Sequence, residues 1–270
     1  MRVSVIITTY NQPDWLEKTL WGYAAQTTRD FDIVVADDGS TGETKARIDA
    51  VREATGLAIR HVWHEDRGFR KCKIVNRAIH ATDADYLIFT DGDCIPRRDF
   101  VEAHLRSARP GRYLSGGYFK LPPEASTAIT PEEIGTNAIF DARWLLRAGV
   151  RFTPRLVKFH LPAWLAAVCG YLTTTQATFN GMNSSAWRED ILRVNGFDER
   201  MQYGGLDREL GLRLENAGIR PLQIRYQALC LHLHHARAYR RREHIEFNRA
   251  LRRETRLTGS TRTRYGITQE

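Results

Sequence analysis

No uncharged apolar run in this chain reaches the roughly 18–20 residues that a membrane-spanning helix needs, so a soluble or peripheral protein is expected. The four cysteines, Cys72, Cys94, Cys169 and Cys230, lie far apart and form no C-x-x-C pair. That spacing argues against a zinc ribbon. A disulfide scaffold is not indicated in 270 residues, and reduced thiols of a cytosolic protein are the plain reading. No internal repeat is visible. Met1-Arg2 passes directly into a β-rich run too short for a signal peptide and without a cleavage site. Acid is in deficit: 32 Asp and Glu face 40 Lys and Arg, for a formal net charge of +8. This balance favours polyanionic partners, whether nucleic acid, an acidic membrane surface or phosphorylated glycans, without choosing among them. A hydrophobic fraction of 42% suffices for a real core, in one sizeable α/β domain or one domain with an appendage.

What is present is an alternation. Short β-branched runs at Val3–Thr8, Phe31–Ala36, Leu57–Val62 and Tyr86–Thr90 read as buried strands. Between them, Asp14–Ala25, Thr44–Ala54 and Lys71–His80 have helical spacing, with Leu16, Leu20 and Tyr23, or Ile74, Ala78 and Ile79, on one side. Such an order implies a mostly parallel sheet with helices on both faces. Ligands then sit at the carboxyl ends of strands, where Thr9–Asn11, Asp37–Ser40 and Asp91–Asp93 fall. After Pro96 the order fades. Tyr113–Phe119 and Leu222–Leu231 read as strands and Leu121–Thr136 as a loop. Phe179–Ser185 reads as a turn region, and Asp190–Val194 and Gly205–Ala217 as helices. An Arg-rich helix is expected from beyond Ala236 to about Thr258, then a polar tail.

Several clusters carry chemistry. Asp91-Gly92-Asp93 puts two carboxylates at a strand end, as a hard cation and a diphosphate need; the bland alternative is an Asp/Gly turn. Asp37-Asp38-Gly39-Ser40 is either a capped strand-to-helix turn or a carboxylate set against a base or ribose. The basic residues of His64–Lys71 either hold phosphates beside a helix start or form a solvated loop. In Gly204–Gly211, Asp207 and Glu209 are two apart on a helix, so only one can face a site. Asp207, nearer the glycine turn, is the candidate general base; the alternative is a helix start with dipole-favoured acids. His232-Leu233-His234-His235 ends a strand, with His232 and His234 on one strand face, and a single His could join Asp93 on a metal.

These pieces stand in the order found in family 2 glycosyltransferases of GT-A fold, which the chain resembles over about residues 3–235. The blocks are SVIITTYNQPDWLEKTL, DIVVADDGST, DRGFRKCKIVNRAI, DYLIFTDGDCIP, FNGMNSSAWREDILRVNGFDERMQYGGLDRELGLRL and LHLHH. Phe179–Leu214 is also similar to a C-terminal block of chondroitin-polymerase-type and galactosyltransferase-type enzymes. The resemblance implies inverting transfer from a nucleotide-sugar, a UDP-sugar, with Mn²⁺ or Mg²⁺. It implies that Thr8, Tyr10 and Asp38, with Asp37 beside them, hold base and ribose, and that Arg70 and Asn76 lie near the nucleotide. Asp91 would meet ribose or a metal-bound water. Asp93 with His232 or His235 would hold the metal, and Asp207 would take the acceptor proton. Where the family often has Glu-Asp this chain has Leu206-Asp207, so the usual acceptor contact is lost while the base is kept.

On this reading residues 1–100 form the nucleotide-sugar half, 101–235 the acceptor half and 236–270 an Arg-rich helical extension. Trp144–Tyr171 mixes aromatics with Arg147, Arg151, Arg155 and Lys158. It is either acceptor-half core with solvated cations or an interfacial segment touching anionic lipid. A glycan or lipid-linked glycan acceptor of bacterial surface polysaccharide or lipopolysaccharide synthesis fits, at the inner face of the cytoplasmic membrane. The rivals are a nucleotidyltransferase, whose Gly-rich first loop is missing, and a non-catalytic nucleotide- or sugar-binding protein. A nucleic-acid-binding module is disfavoured because no recognition motif accompanies the charge.

Overall fold

The computed structural model describes residues 1–235 and 241–268. The chain alternates strand and helix as far as its fourth strand: β1 (Val3–Thr9), α1 (Pro13–Ala24), β2 (Asp32–Asp37), α2 (Gly42–Thr55), β3 (Ile59–Trp63), α3 (Lys71–His80) and β4 (Tyr86–Asp91), followed by β5 (Cys94–Pro96). Then come α4 (Phe100–Ser107), β6 (Arg112–Ser115), β7 (Gly117–Lys120), α5 (Pro123–Ala128), α6 (Pro131–Gly135), α7 (Ala142–Arg147) and α8 (Ala163–Leu172). The chain continues through β8 (Ser184–Trp187), α9 (Arg188–Arg193), α10 (Leu206–Asn216), β9 (Arg220–Gln223), β10 (Leu229–His232) and α11 (Arg242–Thr258).

Seven strands form one sheet in the order β3-β2-β1-β4-β8-β6-β9, and β5-β10-β7 form a smaller one. The β3-β2-β1-β4 block is parallel, whereas β8 runs antiparallel to both β4 and β6. One core cluster lies on each face of the large sheet; α3 and α10 cover one face, α1, α2 and α4 the other. A third cluster packs the small sheet against residues 121–159. Among the described residues no helix is long and apolar enough to cross a membrane.

Four expectations change. The single strand expected over Tyr113–Phe119 is two strands in different sheets, broken at Gly116 and Gly117. A Cβ on Gly116 would lie 1.9 Å from the Asn183 side chain, and one on Gly117 2.0 Å from the Arg225 carbonyl. Only glycine lets the chain change sheets there. The strand expected over Leu222–Leu231 is likewise divided between β9 and β10. Residues 121–136, expected as a loop, hold α5 and α6; Thr130 and Glu133 form a reciprocal cap on α6 that local composition disguised. The turn expected over Phe179–Ser185 ends in β8, whose polar sequence hides a strand buried between β4 and β6. Of the expected Arg-rich extension, residues 236–240 lie outside the described residues. The rest is α11, whose Leu251 joins the core beside α10, and whose following residues return to bond with Asn195.

Candidate active site

Strand register assembles the site. Thr8 pairs with Asp91 across β1 and β4, and Thr9 with Asp37 across β1 and β2, so three strand ends open into one cleft. The cleft has a volume of about 2670 Å³ and is lined by Thr8, Tyr10, Asp38, Arg70, Lys71, Asp91, Asp93, Asp207, His232 and His235, among others. That is more space than a single small ligand needs.

At the β2 end, Asp38 is buried. Its Oδ1 faces His64 Nε2 at 2.7 Å, and its Oδ2 accepts from the Arg70 amide at 2.9 Å. Burial pushes its carboxyl above the usual range, against the pull of His64 and Arg70. Asp37 is also buried, but it accepts from the Ser40 amide at 2.8 Å and meets His61 at 2.8 Å, so it builds the turn. Tyr10 is half-exposed and donates to Asp66 at 2.8 Å. Arg70 lines the cleft with its Nε sealed from solvent and, among the described residues, without a hydrogen-bond partner.

At the β4 end, Asp91 Oδ1 accepts from Thr8 Oγ1 at 2.7 Å and from Lys71 Nζ at 2.6 Å. Burial disfavours the Lys71 cation, but Asp91 and then Asp207 hold it charged far above the ordinary lysine value. Two residues on, β5 pairs antiparallel with β10, setting His232 opposite Cys94 while the Leu233 amide donates to the Asp93 carbonyl at 2.8 Å. His235 Nε2 stands 3.0 Å from Asp93 Oδ2 and His232 Nε2 3.9 Å, with the two rings stacked at 5.4 Å. His232 Nδ1 lies 2.7 Å from the Leu233 carbonyl, which can only accept. Nδ1 therefore donates to that carbonyl, and Nε2 is the ring nitrogen that faces Asp93. Burial raises the Asp93 carboxyl, but His235 and His232 outweigh it and hold it below the usual range.

This donor set fits a divalent cation. One carboxylate and two imidazoles converge, and the imidazoles favour a first-row ion over Mg²⁺. Cys94 also approaches, its thiol donating to Asp93 at 3.3 Å, and Asp93, Cys94 and His232 form a compact triad. Burial drives that thiol well above its usual value, however, and it sits in the core, so it remains a protonated donor. His234, expected to share a face with His232, lies past the end of β10 and is exposed.

The third element is the start of α10. Gly204 and Gly205 adopt positive φ of 116° and 86°, and Asp207 follows in the first turn. Its Oδ1 is sealed from solvent without a hydrogen-bond partner among the described residues. A Cβ on Gly181 would lie 2.7 Å from that atom, so a larger residue would displace it. Burial raises the Asp207 carboxyl; Lys71 opposes this and Asp91 adds to it. Glu209 is turned into the core instead, paired with buried Arg213 at 2.7 Å and accepting from Thr255 at 3.0 Å. Leu206 is buried in the core.

Asn76 stands apart from the expected nucleotide contacts. It is buried, donates to the Phe197 carbonyl at 2.9 Å and to Glu199 at 3.1 Å, and accepts from the Phe197 amide at 2.8 Å. The amide is consumed by a clasp between α3 and the loop that leads towards α10, and it does not line the cleft. Conversely, the sequence motif presents Lys71 only as one of several basic residues. The signal for a specific role was present: it opens α3 with no acid in the first turn, where the helix dipole disfavours a cation.

Comparisons with known proteins bear on the family and the fold. Validoxylamine A glucosyltransferase of Streptomyces hygroscopicus subsp. jinggangensis is 32% identical over 255 residues, covering 88% of this chain and 56% of that one. The chain therefore spans little more than half the length of that relative. Among solved structures, the mannosyltransferase PcManGT of Pyrobaculum calidifontis, in complex with GDP-Man and Mn²⁺, is similar with a TM-score of 0.58 at 21% identity. The match covers 96% of this chain and 62% of that one. Residues 1–349 of S. aureus TarS in complex with UDP-GlcNAc give a TM-score of 0.58 at 16% identity, covering 88% and 60%. These likenesses show the GT-A fold. Residues 4–144, just over half of the sequence, match the family described as glycosyl transferase family 2, and the chain belongs to that family.

Proposed function

We propose that the chain is an inverting, metal-dependent glycosyltransferase that moves a sugar from a UDP-sugar to a hydroxyl of a glycan or lipid-linked glycan, in bacterial surface polysaccharide or lipopolysaccharide synthesis. One observation carries this reading: Asp207, whose Oδ1 has no hydrogen-bond partner among the described residues, lines the same cleft as the Asp93–His232–His235 cluster. Support for a nucleotide-sugar donor comes from the neighbours, whose complexes hold GDP-Man and UDP-GlcNAc, and from the relative described as a glucosyltransferase.

The base and ribose of the donor lie against Tyr10 and Asp38, and Arg70, which lines the cleft, offers its guanidinium to a phosphate oxygen. A divalent cation held by Asp93, His232 and His235 would neutralise charge on the departing diphosphate. Asp207 Oδ1 takes the proton from the acceptor hydroxyl as that oxygen bonds to the anomeric carbon. The carbon's bond to the diphosphate breaks on the opposite face, so configuration inverts and the nucleoside diphosphate leaves. Lys71 opposes the effect of burial on Asp207 and so favours its charged, proton-accepting form.

The test is nucleoside diphosphate release from a panel of UDP- and GDP-sugars with Mn²⁺, followed by determination of the product's anomeric configuration. Release that needs Mn²⁺ and gives an inverted product supports the reading. A retained configuration, or full turnover in EDTA, overturns it.

A further inference from the structure

Between Asp141 and Glu189 the sequence contains no acidic residue. Within that stretch Arg143, Arg147, Arg151 and Arg155 recur at every fourth position, followed by Lys158. The early part is partly core, since Trp144, Leu145 and Leu156 are buried. The later part is not. Phe152 is 77% exposed, Trp164 69%, Tyr171 90% and Leu172 70%. All ten residues of α8 are uncharged, and only Ala166 and Gly170 are buried. An uncharged apolar helix presenting most of its surface to water is not how a helix packs within a globular fold.

The chemistry around this face selects its occupant. Aromatic side chains beside a segment rich in exposed arginine and without an acid of its own match the headgroup region of an anionic bilayer. A second copy of the chain fits worse, because a self-complementary interface would bring like charges together. The face also adjoins the site: Val157, Leu161 and Cys169, from the same stretch, line the cleft.

We propose that the exposed side chains of residues 147–172 dock the protein on an anionic lipid surface, and that the acceptor enters the cleft from that surface. The docking stands on the exposed face alone; the delivery of the acceptor rests on the transferase reading. The full chain is sedimented with vesicles of phosphatidylcholine alone or mixed with phosphatidylglycerol. Binding is expected to the mixed vesicles only, to weaken with salt, and to fall about tenfold or more in Trp164→Ser/Tyr171→Ser and in Arg147→Glu/Arg151→Glu. All four positions are exposed, so unchanged melting temperatures show that these variants stay folded. Equal binding to both vesicle types overturns the proposal, as does a solution dimer that Trp164→Ser/Tyr171→Ser dissociates. Asp207→Asn should bind vesicles like the wild type. Vesicle binding with no sugar transfer to any acceptor would therefore count against the transferase reading while leaving the docking intact.

Discussion

The two sides of the cleft treat their carboxylates differently. On the strand side Asp38, Asp91 and Asp93 each lie at or just beyond the end of a parallel strand, and each is engaged, by His64, by Thr8 and Lys71, and by His235. On the helix side the Gly181 and Asp207 backbone amides act on the Asp207 carboxyl, yet its Oδ1 is buried without a hydrogen-bond partner among the described residues. Groups that hold a ligand in place are best preorganised by neighbours. A group that must receive a proton keeps an open lone pair, and its carboxyl is raised by burial.

The sharpest way to break this contrast is Asp207→Asn. It should lower kcat by about 10²–10⁴-fold while donor affinity, measured by calorimetry, stays the same. A variant with wild-type turnover would erase the distinction. Asp93→Ala should act on the other side, weakening UDP binding by about 10–100-fold with Mn²⁺ present and little in EDTA. Asn76→Ala tests whether the clasp is purely structural. It should cost about 1–3 kcal/mol in denaturant unfolding because it leaves the buried Phe197 amide unpaired, with the donor KM unchanged.

The smallest effect is in pH. Because Lys71 pulls the Asp207 carboxyl down against its burial, Lys71→Met should raise it further and move the acid limb of the kcat profile to higher pH. The stability side has a definite sign. A carboxyl raised by folding contributes stability at low pH that is lost as pH climbs through the folded-state value. The melting temperature of Asp207→Asn should therefore gain on the wild type as pH rises.

The parallel half was legible because each strand is a continuous β-branched run closed by turn residues, and its strand ends fix Thr8, Asp38 and Asp91. Helical geometry allowed only one of Asp207 and Glu209 to face the cleft, and nearness to the glycine turn singled out Asp207. What sequence could not reveal depends on distant partners. Whether Asn76 meets a ligand or a backbone 121 residues away is a tertiary fact. So is the strand at Ser184–Trp187, whose polar residues are strand-like only because β4 and β6 flank them. His235 reaches Asp93 from beyond the end of its strand, where periodicity has no say.

The insertion of β8 beside β4 has a consequence for dissecting the molecule. A fragment ending near residue 100 would retain every strand-borne carboxylate, yet it would bare the hydrogen-bonding edge of β4, a buried and mostly apolar strand at the centre of the sheet. Such an edge templates intermolecular pairing. The fragment should precipitate rather than bind nucleotide.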